Sequence, residues 1–431
     1  MKDTEPSVLI AGGGLAGLAA AAALGGAGFR VDLYESRGFL GGRATSFPLA
    51  PGDPELIDNC QHVLLACFTN LLDLYGRLGV ADYIRFHREY YFVEPGGRVS
   101  VLRRGALPAP LHLSRSFLGL KFLSAADKLA IVRGMAAILR EDYRRKDLDR
   151  ITMLDWLKEK RQPKRAIERF WRQVLVSAIN EELDRMAARH GFQVFRLGFL
   201  SGSGSCDMGL STVPLSRLYA AENLRGVSVH LRSPVERIGP EGAVIGGETR
   251  QADYYICAVP FEKLASLVPA LALNFEAFEH SPITGIHLWF DRPVLDVPYA
   301  ALLDRTIQWV FNKSGGRYVQ VVVSASRSLL TAPRVEVIEL AVRELAEFFP
   351  LVGQARLEKA HVIKEARATF SAVPGLEEQR PPARTAIPNI FLAGDWTRTG
   401  WPATMEGAVR SGYLAAEAVA EAAGRPETFV R

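Results

Sequence analysis

The sequence predicts an α/β protein in two parts: a parallel-sheet domain assembled from separated stretches of chain, and an inserted domain of mixed α+β character. Three observations carry this expectation. A strand, a glycine-rich turn, a helix and a second strand follow one another from Val8 to Glu35. A strand, a Gly-Asp pair and a long helix close the chain after Ile390, and helical and strand-like apolar stretches fill the region between. With 431 residues, 48% of them apolar and 23% charged, the chain is long enough for more than one hydrophobic core.

The first element is "SVLIAGGGLAGLAAAAALGGAGFRVDLYES". Val8 to Ala11 predict a short apolar strand, Leu15 to about Leu24 an alanine-rich helix, and Val31 to Tyr34 the next strand. Gly12, Gly14 and Gly17 have the GxGxxG spacing of a Rossmann-like turn. The first allows the tight turn, the second lets backbone approach a pyrophosphate, and the third lets the helix pack close to the strand. Leu15 and Ala16 open the helix, whose positive end points at the phosphates. Glu35 ends the second strand, next to Ser36, and is placed to accept from a ribose hydroxyl.

Next comes "SRGFLGGRATSF". Its glycine pair, Gly41 and Gly42, together with Arg43, suits a cofactor that continues past the first phosphate turn. Arg43 is a candidate charge-assisted donor to the pyrophosphate or the flavin edge; the plain alternative is an exposed loop arginine. The C-terminal run "IPNIFLAGDWTRTGWPATMEGAVRSGYLAAEAVAEAA" decides between NAD and FAD. Ile390 to Ala393 predict a strand, and Asp395, after Gly394, can accept from a ribityl hydroxyl. Pro402, Thr404 and Glu406 are expected in the first turn of the following helix. With Ala403, Thr404 and Met405 at its start, that helix would face the flavin pyrimidine ring and stabilise negative charge there. FAD is the expected cofactor.

These motifs resemble the FAD-dependent amine oxidase and carotenoid desaturase superfamily. The resemblance implies an FAD domain of the amine oxidase type. It also implies that "GVSVHLRSPVERI" (226–238) closes this domain, with the backbone of Val235 against the adenine, and that "ADYYICAVPFEKL" (252–264) is the returning strand. Monoamine oxidases of the superfamily carry an aromatic residue where Thr404 stands, and no cysteine lies near enough to tether the flavin. Amine oxidation is therefore disfavoured.

"DNCQHVLLACFT" (58–69) sets Asp58, Asn59, Gln61 and His62 beside an apolar run. Polar groups at an apolar wall need partners or a task. The stretch resembles the pattern of the hydroxysqualene dehydroxylases, with Cys60 and Ala66 standing at two glycine positions. Gly394 to Thr397, Pro402 to Thr404 and Glu406 to Gly412 also match. That resemblance implies reductive removal of the hydroxyl of hydroxysqualene to give squalene, with a separate electron donor to the flavin. Hydroxide leaves only when protonated, so a proton donor is required. His62, oriented by Asp58, is the candidate and Glu406 the reserve; a structural core histidine is the plain alternative. Two other readings stay open: an FAD desaturase of a carotenoid precursor, and a flavin-binding membrane scaffold without turnover.

Residues 111–172 hold sixteen Lys or Arg against eight Asp or Glu, while the whole chain carries only +5. Within them, 111–141 reads as one or two amphipathic helices. Phe117, Leu118, Leu120, Phe122 and Leu123 form the greasiest group, among Arg115, Lys121, Lys128, Arg133 and Arg140. Such a segment suits peripheral contact with anionic lipid, or it roofs a cavity with its basic face in water. No nucleic-acid module accompanies the basic runs. Four cysteines without CxxC spacing suggest neither zinc nor disulfides and fit a reducing cytoplasm. Lys2 followed by Asp3 and Glu5 argues against a secretory leader, and no stretch has the length of a membrane span. The FAD domain is expected from 1–75, 205–265 and 385–431. The substrate domain is expected as helices from 76–204 and sheet from 266–384, with "GIHLWF", "IQWVFN" and "RYVQVVVSAS" as strands.

Overall fold

A computed structural model of the chain describes residues 5–141 and 144–431; Lys2 and Asp3 lie outside the described residues. Five parallel strands form one sheet in the order Val227–His230, Arg30–Tyr34, Ser7–Ala11, Tyr254–Cys257 and Ile390–Leu392. Ile10 pairs with Leu33 on one side and Ile256 on the other, and all three are fully buried. Such two-sided burial is what a near-continuous apolar run encodes in a parallel sheet. The helices Leu15–Gly26 and Met405–Ala422 pack together on this sheet. A Cβ on Gly412 would lie 2.1 Å from the Ala16 carbonyl oxygen, so only glycine permits this approach.

Three antiparallel strands, Val235–Gly239, Gly242–Ile245 and Glu248–Arg250, form a small separate sheet. The second large sheet has seven strands, in the order Leu357–Phe370, His280–Phe290, Tyr318–Ser324, Trp309–Ser314, Tyr299–Leu302, Glu89–Val93 and Val99–Arg103. Its side chains alternate between faces with period two. Val319, Val321 and Val323 pack in a core with Val337, Ala341, Leu345 and Phe348 of the helix Arg334–Phe348. Val322 and Ser324 face the opposite side, where the main cavity lies.

Three expectations are corrected. Residues 76–204 are not helical throughout: Glu89–Val93 and Val99–Arg103 complete the seven-stranded sheet, joined to it by Ala301–Phe92 and Leu302–Val93 pairing. The greasy group in 111–141 splits, because Leu120, Phe122 and Leu123 enter the core while Leu118 is 67% exposed. Pro402 precedes the last helix rather than opening it. Thr404 is the cap, its Oγ1 accepting from Gly407 N at 3.0 Å.

Candidate active site

A cavity of about 840 Å³ runs from the parallel sheet to the cavity-facing side of the seven-stranded sheet. Its first end is built by backbone. Gly12 (φ +109°) turns the chain after the first strand, and a Cβ there would lie 2.5 Å from the Ala258 carbonyl oxygen. Gly17 serves packing, since a Cβ on it would fall 1.9 Å from Gly12 O, and it does not line the cavity. Gly14 is different. It caps the helix Leu15–Gly26, and the nearest atom to a Cβ on it is Gly42 Cα at 3.9 Å. Open space thus lies before the helix N-terminus, where Leu15 and Ala16 also line the cavity.

Glu35, with Ser36 beside it, closes that end. Its Oε2 accepts from Gly13 N at 2.8 Å, and its Oε1 accepts from Arg37 N at 2.7 Å and Ser36 Oγ at 3.0 Å. A carboxylate has about four acceptor positions, so capacity remains on Oε2. Val235, Gly394, Ala403, Thr404 and Met405 line the same cavity, as do Gly42, Arg43 and Asp395. Arg43 donates through Nη2 to Asp395 Oδ1 at 2.6 Å and through Nη1 to Ala368 O at 2.9 Å. The Asp395 carboxylate raises its pKa above the ordinary value, so the charge is permanent. An extended groove with two helix N-termini, the Arg43 cation and the Glu35 and Asp395 carboxylates fits a dinucleotide flavin: amides and Arg43 for phosphates, Glu35 and Asp395 for hydroxyls.

The far end is apolar. Tyr90, Phe92, Leu102, Phe170, Trp309 and Phe311 line it. Two neighbouring helices widen to five-residue hydrogen-bond spacing at Ile167–Trp171 and Val194–Leu200, and these wide turns present Phe170, Leu197 and Phe199 to the cavity. Polar groups on this wall are paired internally: Ser177 Oγ donates to Gln173 O and accepts from Trp309 Nε1. Asn180 Nδ2 donates to Ser281 O and to Thr369 Oγ1.

Between the two ends lies the loop 58–62. Asn59 Nδ2 donates to Arg43 O at 2.5 Å, tying the loop to the cofactor end. Cys60 is not among the residues with positive φ, so the loop needs no glycine there. Gln61 and His62 line the cavity; Asp58 does not. The expectation that Asp58 orients His62 is corrected. Asp58 Oδ1 accepts from Ser46 Oγ at 2.6 Å and Oδ2 from Lys313 Nζ at 2.8 Å, while His62 Nδ1 donates to its own loop at Cys60 O, 2.9 Å away. Burial would push the Asp58 carboxyl up, but Lys313 and Ser46 together hold it below its ordinary value.

His62, the candidate proton donor, lines the cavity between the two ends. Burial outweighs the nearby Asp58 charge and lowers the imidazole pKa below 6.5. A carbonyl can only accept, so the Nδ1 proton is fixed and the neutral ring carries a bare Nε2. Nε2 has no protein partner among the described residues and is not sealed from the cavity. In this tautomer Nε2 can accept a hydrogen bond.

Glu406, the reserve donor, faces the other way. Its carboxylate accepts from Asn70 N, Asn70 Nδ2 and Leu71 N, capping the helix Thr69–Leu78, whose own cap residue, Phe68, has no side chain able to do so. Burial raises its pKa, and it does not reach the cavity. Lys313 was not foreseen. Its signal was present, since Trp309, Phe311 and Lys313 alternate on one strand and a lysine ends an aromatic face.

Residues 15–420 match the flavin containing amine oxidoreductase family, and the chain belongs to it. It is a flavin oxidoreductase, and its cofactor is FAD. Among curated relatives, the 15-cis-phytoene desaturase of Solanum lycopersicum is 26% identical over 97% of this chain and 79% of that protein. The zeta-carotene desaturase of Synechocystis sp. is 26% identical over 98% of this chain and 99% of that protein. Solved structures share the fold. Putrescine oxidase bound to putrescine superposes with a TM-score of 0.71 at 16% identity, over 97% of this chain and 99% of that one. Cyclohexylamine oxidase from Brevibacterium oxydans gives 0.68 at 18% identity, over 98% and 100%. Among the described residues no three-membered metal-ligand cluster occurs, the four cysteines are free, and no helix is long and apolar enough to cross a membrane.

Proposed function

We propose that the chain is an FAD-dependent desaturase of a long isoprenoid hydrocarbon of the carotenoid-precursor kind. The bare Nε2 of a neutral His62 at the junction of the cofactor end and the apolar end carries this reading. Bound FAD supplies a hydride acceptor; the protein must then take a proton from the adjacent carbon. In this step a C–H bond breaks, its electron pair forms the new double bond, and the proton goes to His62 Nε2. The aromatic wall orients the chain and excludes water from the cationic carbon. The relatives that are desaturases of phytoene and zeta-carotene support the same reaction class.

A second reading, reductive dehydroxylation of hydroxysqualene, is favoured by one observation: the polar residues Asn59, Gln61 and His62 line the cavity, and a pure hydrocarbon needs none of them there. There His62 would have to be protonated and give its Nε2 proton to the hydroxyl oxygen, which leaves as water, while bound reduced FAD, recharged by an external electron donor, would supply the hydride. The lipid profile of cells holding this chain, supplied with either phytoene or hydroxysqualene, tests the choice. A more unsaturated carotene supports desaturation, squalene supports the second reading, and neither sinks both.

The same proposal places substrate entry at an anionic membrane surface. Leu111 (57%) and Leu129 (52%) join Leu118 as widely exposed leucines in the basic segment, with Arg115, Lys121, Arg133 and Arg140 also exposed. Phe117 packs edge-on to Phe170 at 5.9 Å, and Phe170 lines the cavity, so this surface lies about one side chain from the apolar end. Vesicles rich in anionic lipid should co-sediment with the protein, less so in high salt. Leu118→Ser with Leu129→Ser should remove most of the association, each lost apolar side chain costing about 1.5–3 kcal/mol of insertion at most. Absence of binding at low salt would make the segment a roof only.

A further inference from the structure

We propose that Lys313 is a positioning residue: by holding Asp58 and Gln61 on one ammonium, it keeps Asp58 off the His62 ring, so that His62 presents a bare Nε2 to the cavity. This rests on the reading of His62 as proton acceptor, and it adds a residue 255 positions away from Asp58 in sequence. Lys313 Nζ donates to Asp58 Oδ2 at 2.8 Å and to Gln61 Oε1 at 2.9 Å. Ser46 Oγ on Oδ1 and Lys313 on Oδ2 fix the carboxylate's orientation, and its hydrogen bonds go to these two donors, not to the imidazole. The ion pair is mostly shielded, with side chains 21% and 11% exposed, so its geometry is worth more than that of a surface pair.

The consequence follows from charge. An acidic side chain beside a histidine favours the imidazolium. An Asp58 released from Lys313 would be four residues from a ring it could pair with, and a protonated His62 accepts nothing. The other groups around the ring do not replace this arrangement. Arg43, from the cofactor end, and Lys313 both disfavour the cation. His287, on the strand His280–Phe290 behind the loop, is held neutral by burial with its pKa near 3, and its Nδ1 pairs with Tyr318 Oη at 2.7 Å. Asp58 is the acidic side chain that acts on the ring, and Lys313 is what holds it.

The experiment reads the ring itself rather than turnover, so it fails or succeeds independently of the substrate assignment. Holoenzyme labelled at histidine Cε1 is titrated by NMR, the His62 signal among the eight histidines being identified by its loss in His62→Asn. In Lys313→Met the His62 midpoint should rise by about one pH unit or more, as expected for a newly engaged carboxylate. Lys313→Arg should keep the wild-type midpoint, and adding Asp58→Asn to Lys313→Met should cancel the rise, leaving the midpoint at or below the wild-type one. If Lys313→Met does not fold, Lys313→Gln, which can keep the Gln61 contact, takes its place. An unchanged midpoint in the single variant overturns the proposal. So does an equal rise in the double variant, because hydration of a loosened loop would raise the midpoint without Asp58.

Discussion

Gly14→Val yields folded protein without bound FAD. The backbone at Gly14, φ −74° and ψ 178°, is open to any residue, and a Cβ meets nothing closer than 3.9 Å. The added Cβ therefore fits the chain, and the rest of the isopropyl group takes up the space before the first helix. Two amide bonds to a charged phosphate, at about 1.5–3 kcal/mol each, amount to on the order of 10²–10⁴-fold in affinity. Flavin absorbance of the purified variant and circular dichroism together check the result. A yellow, fully loaded variant would remove the assignment of this turn to the pyrophosphate. Gly12 and Gly17 are unsuitable for the same test, because a Cβ at either collides with backbone and would confound folding with binding.

His62→Ala keeps the fold and the flavin but loses turnover by on the order of 10²–10⁴-fold, the range for a positioned proton-transfer group. The ring is held by one hydrogen bond to its own loop, whereas Asp58, Gln61 and Asn59 are tied to Lys313 and Arg43 independently of it. Its loss therefore leaves the loop in place. The pH dependence carries the sign. Because burial lowers the His62 pKa, wild-type activity should persist as pH falls below 6.5 and decline only when the ring is protonated. The variant should lack that decline. Near-normal turnover in His62→Ala would return the residue to a structural role.

What was legible in the sequence was local. The GxGxxG turn, the Gly42-Arg43 pair and the Gly-Asp strand end each announce themselves within a few residues, because backbone that must approach a ligand has few residue types to choose from. Glu406 shows the limit. A carboxylate in the first turn of a helix facing the cofactor end reads as a candidate acid, yet the same helix has a second face, and Glu406 lies on the side that caps Thr69–Leu78. Asp58 and His62 look like a pair at four residues' spacing, but the competing cation stands on the strand Trp309–Ser314 of the seven-stranded sheet. The strands Glu89–Val93 and Val99–Arg103 were missed for the same reason: a short apolar run between turns does not say which sheet it joins, and their partner at Tyr299–Leu302 is some two hundred residues away. Cys60 required no special backbone, which only the dihedral angle could show.

The most direct test of desaturation is a single anaerobic mixing of oxidised holoenzyme with 15-cis-phytoene delivered in anionic vesicles, followed by flavin absorbance and product analysis. Desaturation gives loss of the yellow absorbance together with a product bearing one further double bond, and a much slower loss in His62→Ala. An absorbance untouched by phytoene, in enzyme that hydroxysqualene reoxidises after prior reduction, would contradict it.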